Sequence, residues 1–140
     1  ASGERATMSD PSGTSAWQYD ARGRLVTNST PQGTLHYRYD AAGRLTNLWS
    51  ATTDGVDLVY SHDALGRITN AVEQGGTVLS AGYGFDGLGS LRTVTYGNGL
   101  TNLYQYDAMQ RLTNALWKNG GTTLGSFAYA LGKTGNRTNL

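Results

Sequence analysis

Five aspartates, Asp20, Asp40, Asp63, Asp86 and Asp107, lie 20, 23, 23 and 21 residues apart. Four of them are followed four positions later by an arginine: Arg24, Arg44, Arg67 and Arg111. Such a series could supply paired acid and base groups, a ladder of ion pairs, or hard oxygen ligands for calcium. Each carboxylate comes alone in its interval, however, and stands where a tight turn takes a capping acceptor. These five are half of the chain's 10 acidic residues, and their expected role is structural. His36 and His62, the only histidines, have no motif partner for zinc or for catalysis. The many Ser and Thr residues come without a nucleophile elbow. No catalytic residue, metal site or cofactor is expected.

The elements that would position these aspartates can be read around them. In Asp-x-x-Gly-Arg the carboxylate can accept from turn amides and the glycine can take positive φ, which suits a type I turn closed by a glycine bulge. A second turn signal follows each Asp by 12 to 15 residues: Gln32-Gly33, Asp54-Gly55, Gly75-Gly76, Asn98-Gly99 and Asn119-Gly120. Two reversals per interval leave about six to eight residues for each segment, a strand's length with no room for a helix. The expectation is an all-β antiparallel meander of about a dozen strands, some 60 Å wide at ~4.8 Å per strand, which curls or spirals.

Alternation assigns a face. Aromatics or a histidine occupy the positions one and three before each Asp: Trp17 and Tyr19, Tyr37 and Tyr39, Tyr60 and His62, Tyr83 and Phe85, Tyr104 and Tyr106, then Phe127 and Tyr129 in a sixth, altered unit. A spacing of two puts both members on one side of a strand. The residues between them are mostly small or polar. Leu25, Leu45, Ile68, Leu91 and Leu112, five residues beyond each Asp, are the expected aliphatic partners. Trp49, Tyr96 and Trp117 fall outside the column and are the candidates for a glycan contact. Thr46-Asn47, Thr69-Asn70 and Thr113-Asn114 read as strand residues in a polar ladder. The sixth unit keeps Tyr129 at its start and Arg137-Thr138-Asn139 at its end, but carries Ala130 in the Asp place and is two residues longer between them.

The phrase Tyr-Asp-x-x-Gly-Arg-Leu-Thr, in tandem from about Trp17 to Leu140, resembles the YD repeat (Rhs repeat) shared by Rhs proteins, teneurins and the shell components of insecticidal toxin complexes. The matching positions are Tyr19, Asp20, Gly23 and Arg24; Tyr39, Asp40, Gly43 and Arg44; His62, Asp63, Gly66 and Arg67; Phe85, Asp86 and Gly89; and Tyr106, Asp107 and Arg111. Departures are His62 and Phe85 for Tyr, Ser90 for Arg and Gln110 for Gly. The resemblance implies hairpins joined into a strip that spirals into a hollow shell, enclosing a toxic domain in bacterial members and standing on cell surfaces in animal ones.

Composition sets the remaining bounds. Net charge is +1 with the basic residues dispersed, no Cys is present, and no apolar run approaches a membrane span. Nucleic acid and a membrane span are not expected. One array of about six units covers 1–140, at roughly 15–34, 35–57, 58–80, 81–101, 102–124 and 125–140, as a piece or subunit of something larger. The expected function is non-catalytic. It is the wall of an extracellular, secreted or cell-surface shell of bacterial type, or a self-assembling fibre, with a glycan-binding or adhesion module as the alternative. The expected partners are other YD repeats of the same or neighbouring chains, an enclosed cargo domain, or surface glycans.

Overall fold

A computed structural model describes residues 3–52, 54–74 and 80–139. Twelve strands form one antiparallel sheet in strictly sequential order: β1 (Thr7–Asp10), β2 (Gly13–Tyr19), β3 (Leu25–Thr30), β4 (Gly33–Tyr39), β5 (Leu45–Ser50), β6 (Asp57–His62), β7 (Ile68–Glu73), β8 (Ser80–Phe85), β9 (Leu91–Tyr96), β10 (Leu100–Tyr106), β11 (Leu112–Asn119) and β12 (Thr122–Ala128). A separate two-stranded ladder joins β13 (Ala130–Leu131) to β14 (Arg137–Asn139). The described residues therefore carry fourteen strands and no helix. The sheet is not closed into a barrel, since β1 and β12 are its two edges. The expected turn at Gly75-Gly76 lies outside the described residues.

Every Asp-x-x-Gly segment makes the same reversal. The amide of Gly23 donates to the Asp20 carbonyl at 2.9 Å while Asp20 donates to the Arg24 carbonyl at 2.9 Å, and the pattern recurs from Asp40, Asp63, Asp86 and Asp107. Gly23, Gly43, Gly66 and Gly89 take φ of 75, 87, 81 and 91°, the left-handed region that this turn requires of its fourth residue. The sixth unit makes the turn two residues later than its sequence suggests. There Gly135 donates to the Gly132 carbonyl at 2.9 Å. Gly132, not Ala130, therefore holds the Asp place, because the two extra residues form β13 before the chain turns.

Register confirms the ring and aliphatic pairs: Tyr19 with Leu25, Tyr39 with Leu45, His62 with Ile68, Phe85 with Leu91 and Tyr106 with Leu112. A one-residue bulge follows each pair. Trp17, Tyr37, Tyr60, Tyr83 and Tyr104 then lie opposite Asn28, Leu48, Ala71, Val94 and Ala115. On this ring face Val94 and Ala115, 5% and 4% exposed, are the buried apolar residues. Gln18, Arg38, Ser61 and Gln105, on the other face, are exposed. Among the described residues, no second layer covers the rings. The chain exposes 9274 Å², about a third more than the ~7,000 Å² of a compact monomer of this mass.

Candidate functional site

The repeated turns line up along one edge of the sheet, and there the charged residues meet. Asp40 Oδ1 accepts from the Arg44 amide at 2.9 Å and Oδ2 from Arg44 Nε at 2.6 Å. Asp20 with Arg24, Asp63 with Arg67 and Asp107 with Arg111 repeat this two-point grip. Asp86 caps its turn through the amides of Leu88 and Ser90, at 3.0 and 2.9 Å. These contacts hold four carboxyls below the ordinary aspartate value. For Asp20 and Asp107 the leading cause is the arginine side-chain bond, and for Asp40 it is the Arg44 amide. For Asp63 desolvation is the largest influence and pushes upward, but the bonds from the Arg67 amide and side chain together outweigh it.

The arginines also reach the next unit. Arg24, Arg44 and Arg111 each donate from Nη1 to the carbonyl of Asp40, Asp63 and Gly132, at 3.3, 2.9 and 2.9 Å. The Arg24 guanidinium lies 4.6 Å from the Tyr39 ring centre, and that of Arg67 lies 4.3 Å from the Phe85 ring, within cation–π range. Tyrosine answers in the opposite direction. Tyr39 and Tyr106 each donate a hydroxyl hydrogen bond, 2.9 Å long, to the carbonyls of Leu25 and Leu91 in the preceding unit. Burial raises the Tyr39 hydroxyl pKa, which keeps it a neutral donor. His62 and Phe85 have no hydroxyl to offer, so their units are joined to the preceding one without this bond. At the bulges, Thr46 and Thr113 donate to the Arg38 and Gln105 carbonyls, both at 3.2 Å, which gives the threonines of these two Thr-Asn pairs a definite task.

The three rings proposed for glycan contact do not form one site. Trp117 lies opposite Asn102, and Tyr96 opposite Ala81, on the face that carries Tyr104 and Tyr83. Trp49 lies opposite His36, on the other face. Its ring stacks on His36 at 5.1 Å, with the Arg38 guanidinium 5.3 Å from its centre. No single sugar could stack on all three. A concave feature of the ring face is a cavity of about 350 Å³ lined by Tyr60, Ile68, Ala71, Tyr83, Phe85 and Leu91. Ala71, at the place taken by Leu48 and Val94 in other units, forms part of its lining. Among the described residues, no three acidic or histidine side chains gather in a way that could hold a metal ion.

The positions missed in the sequence are those eight residues after each Asp: Asn28, Leu48, Ala71, Val94 and Ala115. Four of the five are apolar, which was a readable signal. The bonds between units had none, because their partners are 14 to 21 residues apart in sequence and meet only after the hairpins dock.

The same arrangement of hairpins occurs in solved structures. TcdB2-TccC3 matches with a TM-score of 0.73 at 15% identity, over 94% of this chain and 10% of that one. A Photorhabdus luminescens Tc holotoxin pore matches with a TM-score of 0.74 at 16% identity, over 92% of this chain and 8% of that one. This chain thus spans about a tenth of the length of the structures it matches, and the likeness is one of fold. No curated protein matches it in sequence. The model of the teneurin YD-shell matches residues 2–131. With that match over nearly the whole chain, and with five Asp-capped hairpins in sequential register, the chain belongs to the teneurin YD-shell family.

Proposed function

We propose that this chain is a stretch of shell wall, non-catalytic and secreted from a bacterium, whose work is to extend a curved sheet around cargo. The observation that carries this reading is the sheet's incompleteness. One face of paired rings lacks a covering layer, and the edge strands β1 and β12 offer backbone groups to further strands. Other YD repeats, of the same or a neighbouring chain, are the partners whose strand spacing and turn geometry fit those edges. Cargo would then lie within the wall they complete. The turn edge supports the reading too, because its bonds run from unit to unit and leave nothing arranged around a reacting atom.

Electron microscopy of the native material that contains this chain tests the proposal. Hollow closed particles are expected, with a cargo polypeptide resistant to protease until the particles are opened. Long uniform filaments would replace the shell with a fibre built from the same edges, because a head-to-tail contact that fails to close propagates. Dispersed single chains that protect no cargo would overturn both.

A further inference from the structure

The turn edge contains a second pattern, formed by the side chain at the arginine place of one unit and the residue at the glycine place of the next. A β-carbon at Gly43, Gly66 or Gly89 would stand 3.6, 3.6 and 3.4 Å from Arg24 Nη1, Arg44 Cδ and Arg67 Nη1. At Gly135 it would stand 3.9 Å from Arg111 Nη1. In these four seams the arginine occupies the space beside a glycine that has no side chain to contest it. The remaining seam reverses both members: Ser90 replaces the arginine, Gln110 replaces the glycine, and the Ser90 hydroxyl donates to Gln110 Oε1. Gln110 is also the one non-glycine residue with positive φ, 60°, among the described residues. The strained backbone is thus retained at the one seam where a side chain is wanted. Arg92, two residues after Ser90, brings its guanidinium to 5.9 Å from the Tyr106 ring, the ring that an arginine at position 90 would face.

We infer that Ser90 and Gln110 are a matched pair that fixes the order of the hairpins. Units this similar can dock out of sequence, within a chain or between copies, and misassembly of that kind is characteristic of repeat proteins. A hairpin carrying Gln110 fits behind Ser90. Behind any of the arginines it would set its side chain beside the space that the arginine side chain fills. The inference holds whether the sheet completes a shell or extends a fibre.

The test uses the whole chain with Ser90→Arg, Gln110→Gly and both together, read by equilibrium denaturation and by size-exclusion after refolding. Ser90→Arg should lower the folding equilibrium about tenfold. Gln110→Gly should cost less, since glycine relieves the positive φ, but should refold with more mispaired oligomer. The double variant should exceed the product of the single effects by about tenfold, within the range seen for residues in contact. If Ser90→Arg does not fold, transplanting the pair reads the same coupling. Gly89→Gln should be damaging opposite Arg67 and partly rescued by Arg67→Ser. Effects that multiply to within about twofold would overturn the pairing. Refolding of Gln110→Gly with no more oligomer than the parent chain would overturn its role in order.

Discussion

The two rows of turns at opposite ends of the strands, the Asp edge and the edge across from it, are joined by the same kind of strand, yet they follow different rules. Along the Asp edge every connection is the same five residues, 20–24, 40–44, 63–67, 86–90 and 107–111. At the other edge the connections are 11–12, 31–32, 51–56, 74–79, 97–99 and 120–121. Among the first five units most of the variation in the repeat period therefore comes from the second edge, since the strands differ in length by a single residue. The Asp edge is held uniform because its arginines and tyrosines must reach the neighbouring unit, and one added residue would take them out of range. Among the described residues the second edge carries few such side-chain bonds between units, so its loops can lengthen. The repeat is not one unit of fixed length but a fixed edge attached to a variable one.

Acid should separate the edges most broadly, because it acts on four turns together. The carboxyls of Asp20, Asp40, Asp63 and Asp107 are depressed in the fold, while in the unfolded chain they return to about 3.9. Their contribution is therefore complete above that value and is lost as pH falls through it towards the folded values, where protons bind the unfolded chain first. The denaturant midpoint should hold from pH 6 to about pH 5 and then drop as pH falls through about 4 and below. Amide exchange should show the Asp-edge turns losing protection before the opposite loops. At that opposite edge Asp10 is also depressed, chiefly by its bond from the Ser12 hydroxyl, so the 11–12 turn should soften with them. Uniform loss at both edges would remove the contrast.

A single residue can make the same comparison. Gly43 has φ of 87° and lies beside Arg24, whereas Gly121, at the other edge, has open space around it and no positive φ. Gly43→Val should cost about 1–3 kcal/mol, because a β-branched residue is poorly accommodated in the left-handed region. Gly121→Val should stay within about 0.5 kcal/mol of the parent. Equal losses in a pair of unfolding curves would show that the Asp edge is not the more constrained one.

Removing one bond between units is a finer cut. Tyr106→Phe deletes the donor to the Leu91 carbonyl, and a net loss of about 1 kcal/mol is expected. Tyr104→Phe, whose hydroxyl has only a 3.5 Å approach from the Asn102 amide, should be close to neutral. Phe85 already stands at the equivalent repeat position without a hydroxyl, so the fold should survive the change, and thermal unfolding would measure its size.

What could be read in the sequence was what local spacing determines. The ring before each Asp and the leucine five residues after it flank a tight turn, so their pairing follows from the turn alone. Past that point the extra residue at Val26, Thr46, Thr69, Arg92 and Thr113 reverses the alternation, as a one-residue slip moves side chains to the other face. Counting by twos from Leu112 points Trp117 away from the rings, whereas the bulge turns it towards them. Trp49 goes the other way for the same reason. Chemistry between units was hidden for a different cause: an Asp and an Arg four residues apart announce their own pairing, but not the carbonyl of the following turn.

The smallest effect should come from lengthening the variable edge. Two glycines inserted between Ala51 and Thr52 enlarge a loop that is already longer than its counterpart at 31–32. The loop-closure cost grows only with the logarithm of length, so a penalty of a few tenths of a kcal/mol is expected, well under the ~0.6 kcal/mol of a full doubling. The same insertion between Ala41 and Ala42 would enter a turn whose Asp40 carbonyl receives Arg24 and whose Arg44 reaches Asp63. It would displace both contacts at once, and its cost should be several times larger. Similar costs at the two positions would mean that the Asp edge does not set the spacing of the hairpins, and that the rings on the face do so instead.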